Sequence, residues 1–153
     1  MKEYKLRGVS LFANVGIAEA YLDSIGVDMK VANEFIPQRA HFYQDVYTKT
    51  HMICGDIKDD NIRTQIVEEA IERNVNFVMA TPPCQGMSIA GQMDPEDPRN
   101  YLITYVIDAI MDLHPRYVLM ENVFMQLQTT IRYNGQHILI PEIIDAVLGD
   151  EYY

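Results

Sequence analysis

Basic residues are scarce in this chain: 12 lysines and arginines stand against 22 aspartates and glutamates, a formal net charge of −10 over 153 residues. A protein that grips duplex DNA unaided needs a basic face, because phosphate neutralisation supplies most of its affinity. Any nucleic-acid reading of the chain must therefore account for this acidity. Cysteine is scarce too. Cys54 and Cys84 alone cannot build a disulfide framework, and the polar opening MKEYKLRG does not read as a signal peptide. A reducing, cytoplasmic setting follows. No apolar run approaches membrane-spanning length. The spacing of His41, His51, Cys54, Cys84 and His114 matches no paired-ligand pattern, so no metal is expected. A G-x-G-x-x-G fingerprint is missing as well, which disfavours a nicotinamide dehydrogenase.

The apolar fraction of 48% and charged fraction of 22% are those of an ordinary globular domain, and residues 1–153 are read as one domain without repeats or linkers. Apolar runs predict strands over 8–13, 27–33, 51–57, 75–80 and 116–123. Helical spacing of Ile17, Ala20, Tyr21 and Ile25, stopped at Gly26, predicts a helix after the first strand. Further helices are predicted over 35–44, with Pro37 in the first turn, over 62–74, after the Asp97-Pro98 cap, and over 138–150. Five strands apolar along both faces, alternating with helices, give an α/β fold: an open, doubly wound, mostly parallel sheet.

Ligands of such sheets bind beyond the carboxyl ends of the strands. Those ends carry Phe12-Ala13-Asn14-Val15-Gly16, Asn33-Glu34-Phe35, Gly55-Asp56-Ile57, Pro82-Pro83-Cys84-Gln85 and Glu121-Asn122-Val123. Asn14 stands where a tight turn favours glycine, and asparagine tolerates left-handed backbone. A nucleoside cofactor without phosphates, such as S-adenosylmethionine, needs less of a glycine cradle. Glu34 lies 18 residues after Gly16, near the roughly 20-residue offset at which a carboxylate meets ribose hydroxyls; a helix-start glutamate is the equal alternative. Phe35 could stack on an adenine. Asp56 could accept from an exocyclic amine, although an ordinary turn aspartate is the commoner reading. Pro82 and Pro83 stop the fourth strand and fix the loop that presents the Cys84 sulfur, a setting for a nucleophile rather than core filler. Glu121 closes the apolar strand YVLM, where burial would favour its protonated form for proton donation; an exposed strand-end carboxylate fits the position equally.

SLFANVG, ANEF, GDI, PPCQGMSIAG and MENV, in this order and with these gaps, resemble the C5-cytosine DNA methyltransferase family from the first strand to about Val123. The resemblance implies a Rossmann-like, S-adenosylmethionine-dependent methyltransferase fold, in a bacterial or phage restriction–modification setting. It implies that Cys84 adds to cytosine C6 and that Glu121 contacts the N3 and N4 edge of the flipped base. Asn122 and Val123 would shape that pocket, Pro83 and Gln85 would position the sulfur, and Ser88 would touch a backbone phosphate. Phe12, Gly16, Glu34, Phe35, Asp56, Ile57, Pro82 and Leu102 match positions around S-adenosyl-L-methionine, and Arg99 a loop that closes over double-stranded DNA.

Departures from the family pattern are Asn14 and Ile17, in place of two usual glycines, and Ser10, where aspartate is common. The family's later arginine-containing segment, target-recognition region and C-terminal helix have no counterpart in these 153 residues. The resemblance therefore implies a cofactor-and-catalysis part of a truncated or split enzyme, inactive alone and completed by a chain that grips DNA. The alternative is a non-catalytic remnant that binds S-adenosylmethionine or a partner. Apolar surface is expected to stay exposed where absent elements would dock.

Overall fold

Short apolar runs such as Phe77–Ala80, FVMA, can bury both faces only inside a sheet covered on two sides. All four of these residues are buried. The computed structural model describes residues 5–83 and 97–152. The chain divides into two compact units: Met1–Thr81 with Asp112–Met120, and Pro82–Met111 with Glu121–Tyr153.

The first unit holds a five-stranded sheet built from β1 (Leu6–Leu11), β2 (Val27–Glu34), β3 (His51–Cys54), β4 (Phe77–Ala80) and β5 (Tyr117–Met120), in the order β3-β2-β1-β4-β5. Every neighbouring pair is parallel. α1 (Pro37–Val46) and α2 (Asp60–Glu72) are its crossover helices. Pro37 sits in the first turn of α1, where its missing N–H costs nothing. Asp59 caps α2 by accepting from the Asn61 N–H at 2.8 Å. The core gathers Val9, Leu11, Val31, Ile53, Ile66 and Val78. Two-sided cover does not extend to β5, where alternate residues Tyr117 and Leu119 are 47% and 48% exposed.

No α-helix follows β1. Hydrogen bonds from Ala20 to Ile17, Leu22 to Glu19 and Ser24 to Tyr21 span three residues each, and the segment ends in a short 3-10 helix at Asp23–Ile25. The inward residue is Glu19, buried and bonded by the Ser10 hydroxyl. Ile17, Tyr21 and Ile25, whose spacing predicted a helix, are 80%, 81% and 72% exposed.

In the second unit, Asp97 caps a 3-10 turn at Pro98–Tyr101 that leads into α3 (Leu102–Leu113). α3 buries Ile103, Val106, Ile107 and Ile110. An antiparallel hairpin, β6 (Thr130–Tyr133) and β7 (Gln136–Leu139), precedes α4 (Ile140–Leu148). Its turn places Asn134 at φ 50° and Gly135 at φ 82°, the two left-handed residues that a primed hairpin turn requires. No helix among the described residues is long and apolar enough to cross a membrane.

A Cβ at Gly135 would meet nothing within 4 Å, so Gly135→Ala isolates backbone strain. It should destabilise by about 1 kcal/mol, which lowers the thermal midpoint by about 2–4 °C in a chain of this size. An unchanged or higher midpoint in calorimetry would contradict the turn.

Candidate cofactor-binding site

Parallel pairing brings the ends of β1, β2, β3 and β4 to one edge of the first unit. The chain leaving β1 is contorted: Phe12, Asn14 and Gly16 all have positive φ, at 61°, 52° and 82°. Glycine alone adopts that conformation freely, and a bulky residue such as phenylalanine pays roughly 1–2 kcal/mol for it. Each of the three is held by a side chain from another element. Thr81 Oγ1 donates to the Phe12 carbonyl at 3.0 Å, the Asn14 N–H donates to Glu34 Oε2 at 2.9 Å, and the Tyr47 hydroxyl donates to the Gly16 carbonyl at 2.5 Å.

Glu34 ends β2 and is 5% exposed. Its second oxygen, Oε1, accepts from the Ile36 N–H at 2.8 Å. A buried carboxylate needs such donors; each oxygen retains a further lone pair that a ribose hydroxyl could use. Phe35 beside it is 62% exposed, its ring free to stack. Asn33 Nδ2 donates to the carbonyls of Ile53 and Gly55, both at 3.0 Å, which fixes the turn after β3. In that turn Asp56 Oδ1 accepts from the Lys58 N–H at 3.0 Å, so part of its capacity serves the turn itself. Ile57 is buried. Cys54 is exposed at the end of β3.

Behind the first turn, burial raises the Glu19 carboxyl above its usual 4.5, against the lowering effect of the Ser10 hydroxyl. Its other oxygen, Oε2, is buried without a hydrogen-bond partner. Tyr43 and Tyr47 face it, and burial together with the Glu19 charge raises both phenols. A cavity of about 320 Å3 lined by Glu19, Asp23, Asp28, Tyr47, Lys49 and Thr50 lies here, beside the start of β2 rather than its carboxyl end.

In the second unit, Asn122 Nδ2 donates to the Pro82 carbonyl at 3.2 Å, and Asn122 Oδ1 accepts from the Val123 N–H at 2.8 Å. The segments after β4 and β5 are thereby joined through one amide. Pro82 is buried, Pro83, Leu102, Asn122 and Val123 are half-buried, and Glu121 is exposed, the strand-end setting that fitted its position as well as a buried one. Arg99 is exposed and its guanidinium grips Asp97, with Nε to Oδ1 at 2.9 Å. These bonds lower the Asp97 carboxyl to about 2. Cys84, Gln85 and Ser88 lie outside the described residues. Among the described residues no group of three or more His, Cys, Asp or Glu side chains is placed to hold a metal. Sequence reasoning missed Tyr47, which sits at no motif, and Thr81, which stands immediately before Pro82-Pro83; only the folded chain brings them to the turn.

The family profile for the C-5 cytosine-specific DNA methylase matches residues 6–141. Type II methyltransferase M1.HgaI of Avibacterium volantium is 40% identical over 153 residues, which cover 97% of this chain and 43% of the relative. Type II methyltransferase M.AquIA of Picosynechococcus sp. is 32% identical over 119 residues, 75% of this chain and 47% of the relative. The solved structure of a DNA modification methyltransferase from an E. coli prophage has a TM-score of 0.75 and 22% identity, over 97% of this chain and 39% of that one. It shares the fold. The chain spans under half the length of the curated relatives it matches.

The raised Glu19 carboxyl sets the sign of a pH effect. A carboxyl that binds its proton more tightly folded than unfolded stabilises below the ordinary glutamate range, and that stability is lost as pH rises through the raised value. The thermal midpoint should therefore fall over this window in the native chain. Glu19→Gln, which keeps the shape and removes the charge, should flatten the fall and be the more stable form at neutral pH. A Glu19→Gln profile parallel to the native one would contradict this.

Proposed function

The chain belongs to the C-5 cytosine-specific DNA methylase family, and on that premise we propose that it is the cofactor-and-catalysis part of an enzyme that methylates C5 of cytosine in DNA. The observation that carries the cofactor reading is Glu34: a buried carboxylate at the carboxyl edge of a parallel sheet, beside the left-handed first turn and next to an exposed aromatic ring. A ligand with ribose hydroxyls, an adenine and no phosphate fits that set. Glu34 would take the hydroxyls, Phe35 the adenine face, and Asp56 and Ile57 the base edge; Phe12, Gly16, Pro82 and Leu102 would complete the surroundings. At Gly16 a Cβ would come within 2.1 Å of the Tyr47 ring, so the turn is closed to any larger residue.

S-adenosylmethionine, when bound, supplies an electrophilic methyl group. Cytosine C5 is too poor a nucleophile to take it unaided, and the work of this chain is to change that. The Cys84 thiolate forms a bond to C6, and the C5=C6 electron pair is displaced into the ring while Glu121 donates a proton at N3. C5 then attacks as an enamine carbon would. After transfer the C5 proton leaves to a base, its bonding electrons restore C5=C6, and the C6–S bond breaks to return the thiolate. Glu121 recovers its proton. The base has to be flipped from the duplex first, since a stacked C6 is out of reach. Asn122 and Val123 would line its pocket, Pro83 and Gln85 would orient the sulfur, Ser88 would contact a DNA backbone phosphate, and Arg99 would belong to the loop that closes over DNA. With a net charge of −10, affinity for double-stranded DNA is assigned to a complementing region or chain, in a bacterial or phage cytoplasm.

Two measurements test this. Glu34→Gln should weaken S-adenosylhomocysteine binding about tenfold or more in calorimetry, the usual size of a lost hydrogen bond to a charged group. In the complemented enzyme, Cys84→Ser should abolish tritium transfer from labelled cofactor to DNA, and the 153 residues alone should transfer little or none. Undiminished binding by Glu34→Gln, or turnover by Cys84→Ser, would overturn the corresponding role.

A further inference from the structure

The first turn contains three left-handed residues, only one of them a glycine, so its shape has to be imposed from outside. Tyr47 is built to impose it. It is the residue that ends α1, its own N–H donating to the Tyr43 carbonyl at 2.8 Å. Its carbonyl accepts from the Thr50 N–H at 3.0 Å. Its ring lies 4.6 Å from that of Tyr43, centroid to centroid. Both rings press on Gly16: the position of a Gly16 Cβ is 2.1 Å from Tyr47 Cε2 and 3.0 Å from Tyr43 Cε2. A side chain fixed at its backbone and by its neighbour thus delivers one hydroxyl to one carbonyl, 31 residues away in the sequence.

We propose that Tyr47 is a positioning residue for the cofactor: its hydroxyl holds the Gly16 carbonyl and its ring fills the space above it, so that the turn is set before the ligand arrives. This rests on the cofactor reading of the strand ends. Preorganisation is the physical content. A turn that had to be ordered on binding would spend part of the binding free energy on that ordering. Thr81 and Glu34 hold Phe12 and Asn14 in the same way, but both stand at strand ends in the sheet itself. Tyr47 reaches the turn with a hydrogen bond from the end of a crossover helix.

Tyr47→Phe removes the hydroxyl and keeps the ring. Amide hydrogen exchange of Asn14 and Gly16 in the ligand-free chain should speed up about three- to tenfold, the usual worth of one hydrogen bond, with exchange in β4 unchanged. The dissociation constant for S-adenosylhomocysteine should rise by a similar factor. Tyr21→Phe, on an exposed tyrosine of the same β1–β2 connection, should change neither. Unchanged exchange at Asn14 and Gly16 overturns the clamp, and faster exchange with an unchanged dissociation constant overturns its role in positioning. Failure of the native chain to take up S-adenosylhomocysteine would instead count against the cofactor reading, and exchange would still decide whether Tyr47 sets the turn.

Discussion

One buried carboxylate organises the strand ends. Glu34 accepts the Asn14 N–H on one oxygen and the Ile36 N–H on the other, tying the turn after β1 to the entry of α1. A carboxylate 5% exposed is tolerable only because these donors replace water; without them its desolvation would cost several kcal/mol. The dependence is mutual. Asn14 at φ 52° keeps its conformation because its N–H has a charged acceptor waiting.

Its neighbour works toward the other side. Asn33 donates to the carbonyls of Ile53 and Gly55, so two consecutive side chains at the end of β2 fix the turns after both flanking strands. β2 sits between β3 and β1 in the sheet, which is what lets one dipeptide serve both. A parallel sheet sets its strand ends side by side; here polar side chains at those ends, rather than glycines, give the connecting loops their shape. In the second unit Asn122 plays a comparable part, one amide joining the Pro82 carbonyl to the Val123 N–H.

Much of this was legible in the sequence where the signal was local or periodic. Apolar runs located all five parallel strands, and Asp97-Pro98 marked a cap that the structure contains. Periodicity misled at Ile17, Tyr21 and Ile25, because a buried Glu19 bonded by Ser10 turned that stripe outward. The hairpin at Thr130–Leu139 went unread although Asn134-Gly135 is a strong turn signal, its flanking strands being only four residues each. The place of Glu34 at the end of β2 was legible, because the apolar run stops there. Tyr47 was not, since a contact spanning 31 residues leaves no trace in local spacing. Exposure of Glu121 was equally beyond reach: four apolar residues precede it in both the buried and the exposed case.

The claim at the centre is that the Glu34-braced turn is where the cofactor sits. Amide NMR titration of the chain with S-adenosylhomocysteine tests it most directly. The largest shifts are expected at Asn14 and Ile36, the two amides bonded to Glu34, with further shifts over residues 12–16 and 56–57 and none in the β6–β7 hairpin. Saturable binding that leaves Asn14 and Ile36 unmoved would contradict it.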